Sequence, residues 1–143
     1  MPAIFEQRDI RFEYPDNWSV EESSDTQTEQ VVVSSPHSAF WQLSKQPAHT
    51  AMEGCFDEAL AALRSEYHDM EVEPAHDSIE GHELVGFDVN FICLDLTNTC
   101  WLRGFQFADS TYLLLCQAED SEFEQISPVF RAMLASMLRH LRS

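Results

Sequence analysis

Between Gly81 and Glu119, apolar residues fill most positions of three runs, GHELVGFDVNFIC, TCWLRGFQF and TYLLLCQAE, separated by short polar breaks. Side chains on a strand point alternately to its two faces, so these runs predict three successive antiparallel strands. Taking Asp95-Leu96-Thr97-Asn98 as the first turn and Asp109-Ser110 as the second sets Cys93 opposite Cys100 and Asn90 opposite Arg103. It also places Phe105 between Asp88 and Leu114, and Cys116 opposite Arg103. One face then carries Val85, Phe87, Val89, Phe91, Cys93, Cys100, Leu102, Leu113 and Leu115, and the other Ile92, Trp101, Phe105, Phe107, Tyr112, Leu114 and Cys116. With both faces apolar, the expected sheet is covered on both sides.

The rest of the chain supplies the cover and the outer strands. Ile4 to Gln7 and Ile10 to Tyr14 predict a short hairpin or one bent strand, Pro15-Asp16-Asn17 a turn, and Ser19 to Glu21 a further extended piece. Thr28 to Ser35, with valine at 31, 32 and 33, predicts a strand that pairs with Ala39 to Lys45. The period then changes: Met52, Phe56, Leu60, Leu63 and Tyr67 recur at helical spacing behind Thr50-Ala51-Met52-Glu53, which reads as a capping box, so a helix is expected from Ala51 to Tyr67. Gly54 in its first turn would let it sit close to the sheet. Met70 to Ser78 is extended, with Pro74 marking an edge. Ser127-Pro128 predicts a final helix from Pro128 to Leu141, ending in Arg139, His140 and Arg142, whose charge suits the helix dipole.

Together these elements define an α+β fold in which a six- or seven-stranded antiparallel sheet is flanked by helices as an αβα sandwich, residues 1–143 forming a single domain. A helix on each face is the economical arrangement, and both helices on one face is the alternative. Helices of about 17 and about 14 residues span only roughly 25 and 21 Å and are ~10 Å wide, too little to cover six strands ~4.8 Å apart. The leftover apolar surface is expected at Trp101, Phe105, Phe107, Tyr112 and Leu114, to be closed by loops 22–29 and 45–50, a second copy, or a foreign amphipathic helix. An exposed aromatic patch including Trp41 is a further form of the same expectation.

Charge narrows the partner. Eight Lys plus Arg against 25 Asp plus Glu give a formal charge of −17, which repels nucleic-acid backbones and anionic lipid. No run approaches a membrane span and the start lacks a secretory pattern, so a cytoplasmic protein without membrane insertion is expected. The cysteines at 55, 93, 100 and 116 form no CxxC pair, and the histidines are scattered, with His76, Asp77 and His82 the nearest approach to a metal set; neither a metal nor a cofactor is expected. The one internal polar group that strand register places together is Asp88, Asn90, Arg103 and Cys116. It could bind a carboxylate or phosphate through the Arg103 fork, or simply be a cross-strand ion pair.

The order of elements resembles the PsbP-like (Mog/PsbP) superfamily. The matching residues are Ile10, Phe12, Tyr14, Pro15 and Trp18; Phe56, Leu60 and Leu63; Gly81 and Phe87; and Phe123, Ile126, Phe130, Met133, Leu134 and Ser136. The resemblance implies an antiparallel sheet flanked by helices. It implies a bacterial member more than the photosystem subunit, whose targeting segment this sequence lacks, or the nuclear Ran-binding proteins, whose binding surface it does not show. A non-enzymatic protein-binding, adaptor or chaperone-like role follows as the first expectation, with a protein partner or self-association. A small-ligand site or enzyme around Arg103 is the second.

Overall fold

The computed structural model describes residues 2–7, 10–24, 29–47, 49–67 and 69–141. Strands β1 (Pro2–Gln7) and β2 (Ile10–Pro15) form a two-stranded hairpin. Then come β3 (Ser19–Ser24), β4 (Glu29–Ser34), β5 (Phe40–Lys45), helix α1 (Met52–Glu66), β6 (Glu71–Ile79), β7 (His82–Cys93), β8 (Leu96–Phe107), β9 (Ser110–Glu119) and helix α2 (Asp120–His140). The main sheet is seven-stranded and antiparallel in the order β3-β4-β5-β9-β8-β7-β6. Both of its edges are guarded, β3 by Glu21 and Glu22 and β6 by Pro74 and its carboxylates, which disfavours pairing with another strand.

The three strands read first from the sequence are there, but the β7–β8 hairpin is tighter than expected and the β8–β9 turn falls one residue earlier. β6–β7, β7–β8 and β8–β9 each close through two residues, Glu80-Gly81, Leu94-Asp95 and Ala108-Asp109, all at positive φ as a type I′ turn requires. Cys93 therefore opposes Leu96, Cys100 opposes Val89, and Asn90 opposes Thr99. Arg103 lies between Gly86 and Leu114, Phe105 pairs with Tyr112, and Cys116 pairs with Trp101. Each slip is by an even number of residues, so every side chain keeps its face. The two apolar sets survive although the pairs within them do not, and Cys93 does not stand opposite Cys100.

The helices lie on opposite faces. On one, Phe56, Leu60 and Leu63 of α1 pack on Val89, Phe91, Cys100 and Leu102, with Tyr67 stacked on Phe91 at 4.0 Å. The close approach is made at Gly104, where an added Cβ would lie 2.8 Å from the Phe56 ring and 3.0 Å from the Met52 sulfur; Gly54 has open space around it. The capping box does not form. Ala51 is the N-cap without a side-chain bond, and the Thr50 hydroxyl donates instead to the Pro47 carbonyl at 2.6 Å.

On the other face α2 is longer than the sequence suggested. It starts at Asp120 and runs through Pro128, because Phe123, Ile126 and Phe130 form one stripe over Trp101 that outweighs the backbone bond proline cannot make. At 21 residues it spans about 31 Å. The β1–β2 hairpin covers what remains, bringing Ile10 and Phe12 into the core, with Phe12 4.7 Å from Trp41, and tying to α2 where the Glu13 amide donates to Ser136 Oγ at 3.0 Å. This cover overturns the expected exposed patch. Trp41, Phe105, Tyr112 and Leu114 are buried, and Trp101 and Phe107 are half-buried against the same core. Loop residues 25–28 and Arg142 lie outside the described residues.

Candidate functional site

Arg103 was the sequence's best candidate for a ligand-binding group, and the structure shows what occupies it. Its side chain crosses β7 at the bare Gly86 position and reaches β6, where Nε donates to Asp77 Oδ2 at 2.6 Å. Nη2 donates to Asp88 Oδ1 at 2.7 Å, and Nη1 donates to the carbonyls of Phe87 at 2.9 Å and Leu102 at 3.2 Å. At 4% exposure the guanidinium is part of the fold, a buried fork bound by two carboxylates and two carbonyls. Burial pushes the Asp77 carboxyl up, but the hydrogen bond and charge of Arg103, with Arg131 at 3.6 Å, outweigh it and hold Asp77 below its ordinary value. Burial likewise lowers Arg103, and the two carboxylates more than reverse that. Arg131 lies 4.8 Å from the Trp101 ring, sealing the cluster under α2.

The other members of the sequence-derived group do not converge on it. The Asn90 side-chain amide lies 3.0 Å from Thr99 Oγ1 on β8, a hydroxyl that is also 2.7 Å from Asp120 Oδ1. Cys116 stands beside Trp101 and Trp41, and burial raises its thiol well above the ordinary value, the reverse of an activated nucleophile. Cys100 is pushed up to about 12 by burial, and all four cysteines are free. His76 pairs with Glu83 at 2.6 Å, Asp77 serves Arg103, and His82 packs against Phe105 and Phe107. Among the described residues no three His, Cys, Asp or Glu groups converge to hold a metal. No described helix is long and apolar enough to cross a membrane.

The end of the sheet where β7 turns into β8 has a different character. Ile92, Leu94 and Leu96 are 54%, 91% and 53% exposed, three aliphatic side chains within five residues. Leu94 and Asp95 hold φ of 53° and 64°, a region that favours Asn and Gly and costs a leucine about 1 kcal/mol. Beside the tip lies a hollow of about 470 Å³ lined by Leu96, His37, Ser38, Glu119, Ser121, Glu122 and Gln125. Its walls are fixed. Glu119 caps α2 by accepting from the Ser121 and Glu122 amides, and Glu122 accepts from Ser35 Oγ, Ser38 Oγ and the Ser38 amide at 2.6 to 2.7 Å. The Ser121 hydroxyl and the backbone amides hold Glu119 below its ordinary value. For Glu122, burial acts upward but the Ser38 and Ser35 bonds prevail, so both carboxylates stay charged at neutral pH. The sequence reading counted Ile92 as part of an apolar face and Leu96 as part of a turn. The register that sets both at the tip was the missing signal.

Neither a family model nor a curated protein sequence matches the chain. Solved structures do, and they define its class as the PsbP- and Mog1-like α+β fold. Cyanobacterial PsbP (CyanoP) from Synechocystis sp. PCC 6803 is similar at a TM-score of 0.66 with 8% identity, over 94% of this chain and 90% of that one. The Saccharomyces cerevisiae Ran-binding protein Mog1p is similar at 0.54 with 11% identity, over 99% of this chain and 92% of that one. A Pseudomonas aeruginosa protein of unknown function gives 0.53 with 10% identity, over 94% of each chain.

Proposed function

We propose that this chain, acting as a single domain, is a non-enzymatic protein-binding module of the adaptor or chaperone-like kind, and that it receives its partner at the β7–β8 tip. The observation that carries this reading is the exposure of Ile92, Leu94 and Leu96 around a leucine held at positive φ. Folding gains nothing from an exposed leucine in a left-handed turn, whereas an interface gains an apolar anchor. Mog1p, by its name a Ran-binding protein, gives the fold a precedent for binding another protein. The four unpaired cysteines support a reducing, cytoplasmic setting.

Leu94→Asn separates binding from folding. Asparagine suits the turn, so the variant should be more stable by about 1 kcal/mol in a urea titration. In affinity capture from the source cell at moderate ionic strength, the protein retained by the wild type should be lost by the variant. Retention undiminished in the stabilised variant, or robust turnover in a broad hydrolase screen with no retained partner, would overturn the reading.

A further inference from the structure

We infer that the segment received at the tip is a basic amphipathic helix or turn of another protein, whose apolar stripe meets Leu94 and Leu96 while a Lys or Arg enters the carboxylate-lined hollow that Leu96 borders. This rests on the reading of the tip as the partner site and adds the chemistry of what binds there. Charge complementarity selects the occupant. The hollow presents Glu119 and Glu122, Asp95 sits in the turn, Asp120 opens α2, and of the hollow's lining residues only His37 can carry positive charge. Glu122 is held by Ser35 and Ser38 and Glu119 by its cap bonds, so an arriving cation meets anions already in position, which lowers the ordering cost of binding.

The alternatives fit less well. A second copy would bring another chain of formal charge −17 and another Asp95 against the same carboxylates. An anionic bilayer is repelled for the same reason. A strand added at a sheet edge meets the guarded β3 and β6 rather than the tip.

The test uses three synthetic amphipathic peptides of about 18 residues, five helical turns, with one leucine stripe and a polar face of Lys, of Gln or of Glu. Binding to the whole chain is read by fluorescence anisotropy at about 0.15 M salt, where surface charges beyond ~8 Å are screened. The Leu/Lys peptide is expected to bind, the Leu/Gln peptide to bind about tenfold more weakly or worse, and the Leu/Glu peptide not at all. Leu94→Asn should weaken the Leu/Lys complex about tenfold or more, and Glu122→Gln should weaken it without affecting the Leu/Gln peptide. Equal binding of the three peptides, all lost in Leu94→Asn, overturns the basic chemistry and leaves the tip as the partner site. Leu/Lys binding that Leu94→Asn does not change overturns the tip itself. Tip-dependent dimerisation in sedimentation, or tip-dependent binding to phosphatidylcholine–phosphatidylserine vesicles in place of the peptide, overturns this choice of occupant.

Discussion

Replacing Asp77 by alanine is expected to cost about 3 to 5 kcal/mol of folding stability, while replacing Arg103 by methionine costs about 1 to 2. The asymmetry follows from which partner can reach water. The Arg103 side chain is 5% exposed and the Asp77 and Asp88 side chains are 21% and 40% exposed. Without Asp77 a buried guanidinium keeps only Asp88 and two carbonyls. Without Arg103 the carboxylates turn toward solvent, Asp77 keeps Arg131 at 3.6 Å, and methionine fills the space. The acid dependence carries the same signature. The folded Asp77 carboxyl is held below its ordinary value, so its contribution is present above the unfolded carboxylate range and is lost as pH falls through the folded value. Urea titrations should therefore show the wild type's advantage over Asp77→Ala shrinking below about pH 4. Equal costs for the two variants would contradict this asymmetry.

Gly86→Ala should be as damaging, at about 3 kcal/mol or more, although it adds one methyl group to a strand. Its Cβ would stand 1.9 Å from the Leu102 carbonyl oxygen and 3.0 Å from Arg103 Cα, both backbone atoms that move only if the β7–β8 pairing moves. The same carbonyl accepts from Arg103 Nη1, and the same bare position lets the side chain cross to Asp77, so the variant disturbs ladder and clamp together. A thermal melt within a degree or two of wild type would contradict that geometry. Gly54→Ala is the useful contrast, since nothing lies within 4 Å of the added atom.

These two sites show where the sequence was readable and where it was not. Period-two patterning assigns side chains to faces robustly, so Val89, Phe91, Cys100 and Leu102 were placed on one side and Phe105, Tyr112 and Leu114 on the other despite turns set wrongly at both hairpins. Register within a face depends on turn chemistry, and Leu94-Asp95 and Ala108-Asp109 carry none of the Asn-Gly signal that marks a type I′ turn. That is why Asp88 was recognised as a partner of Arg103 while Asp77, two strands away across a glycine, was not. Cover was underestimated for a related reason. Ser127-Pro128 is a strong helix start locally, but the aromatic contacts of Phe123 and Phe130 on Trp101 carry α2 straight through it. With the β1–β2 hairpin also packed on that face, Phe105→Asp would put a charge into the core and destabilise the fold.

Closing the Trp101–Leu114 face transfers the question of binding to the tip, and a photoreactive side chain placed there asks it most directly. With the crosslinker at position 94, irradiation in the source cell should join the chain to one other protein. With the crosslinker at Glu58, exposed on α1, that adduct should be missing. An adduct of equal yield from both positions, or from Glu58 alone, would contradict the β7–β8 tip as the place where this fold meets its partner.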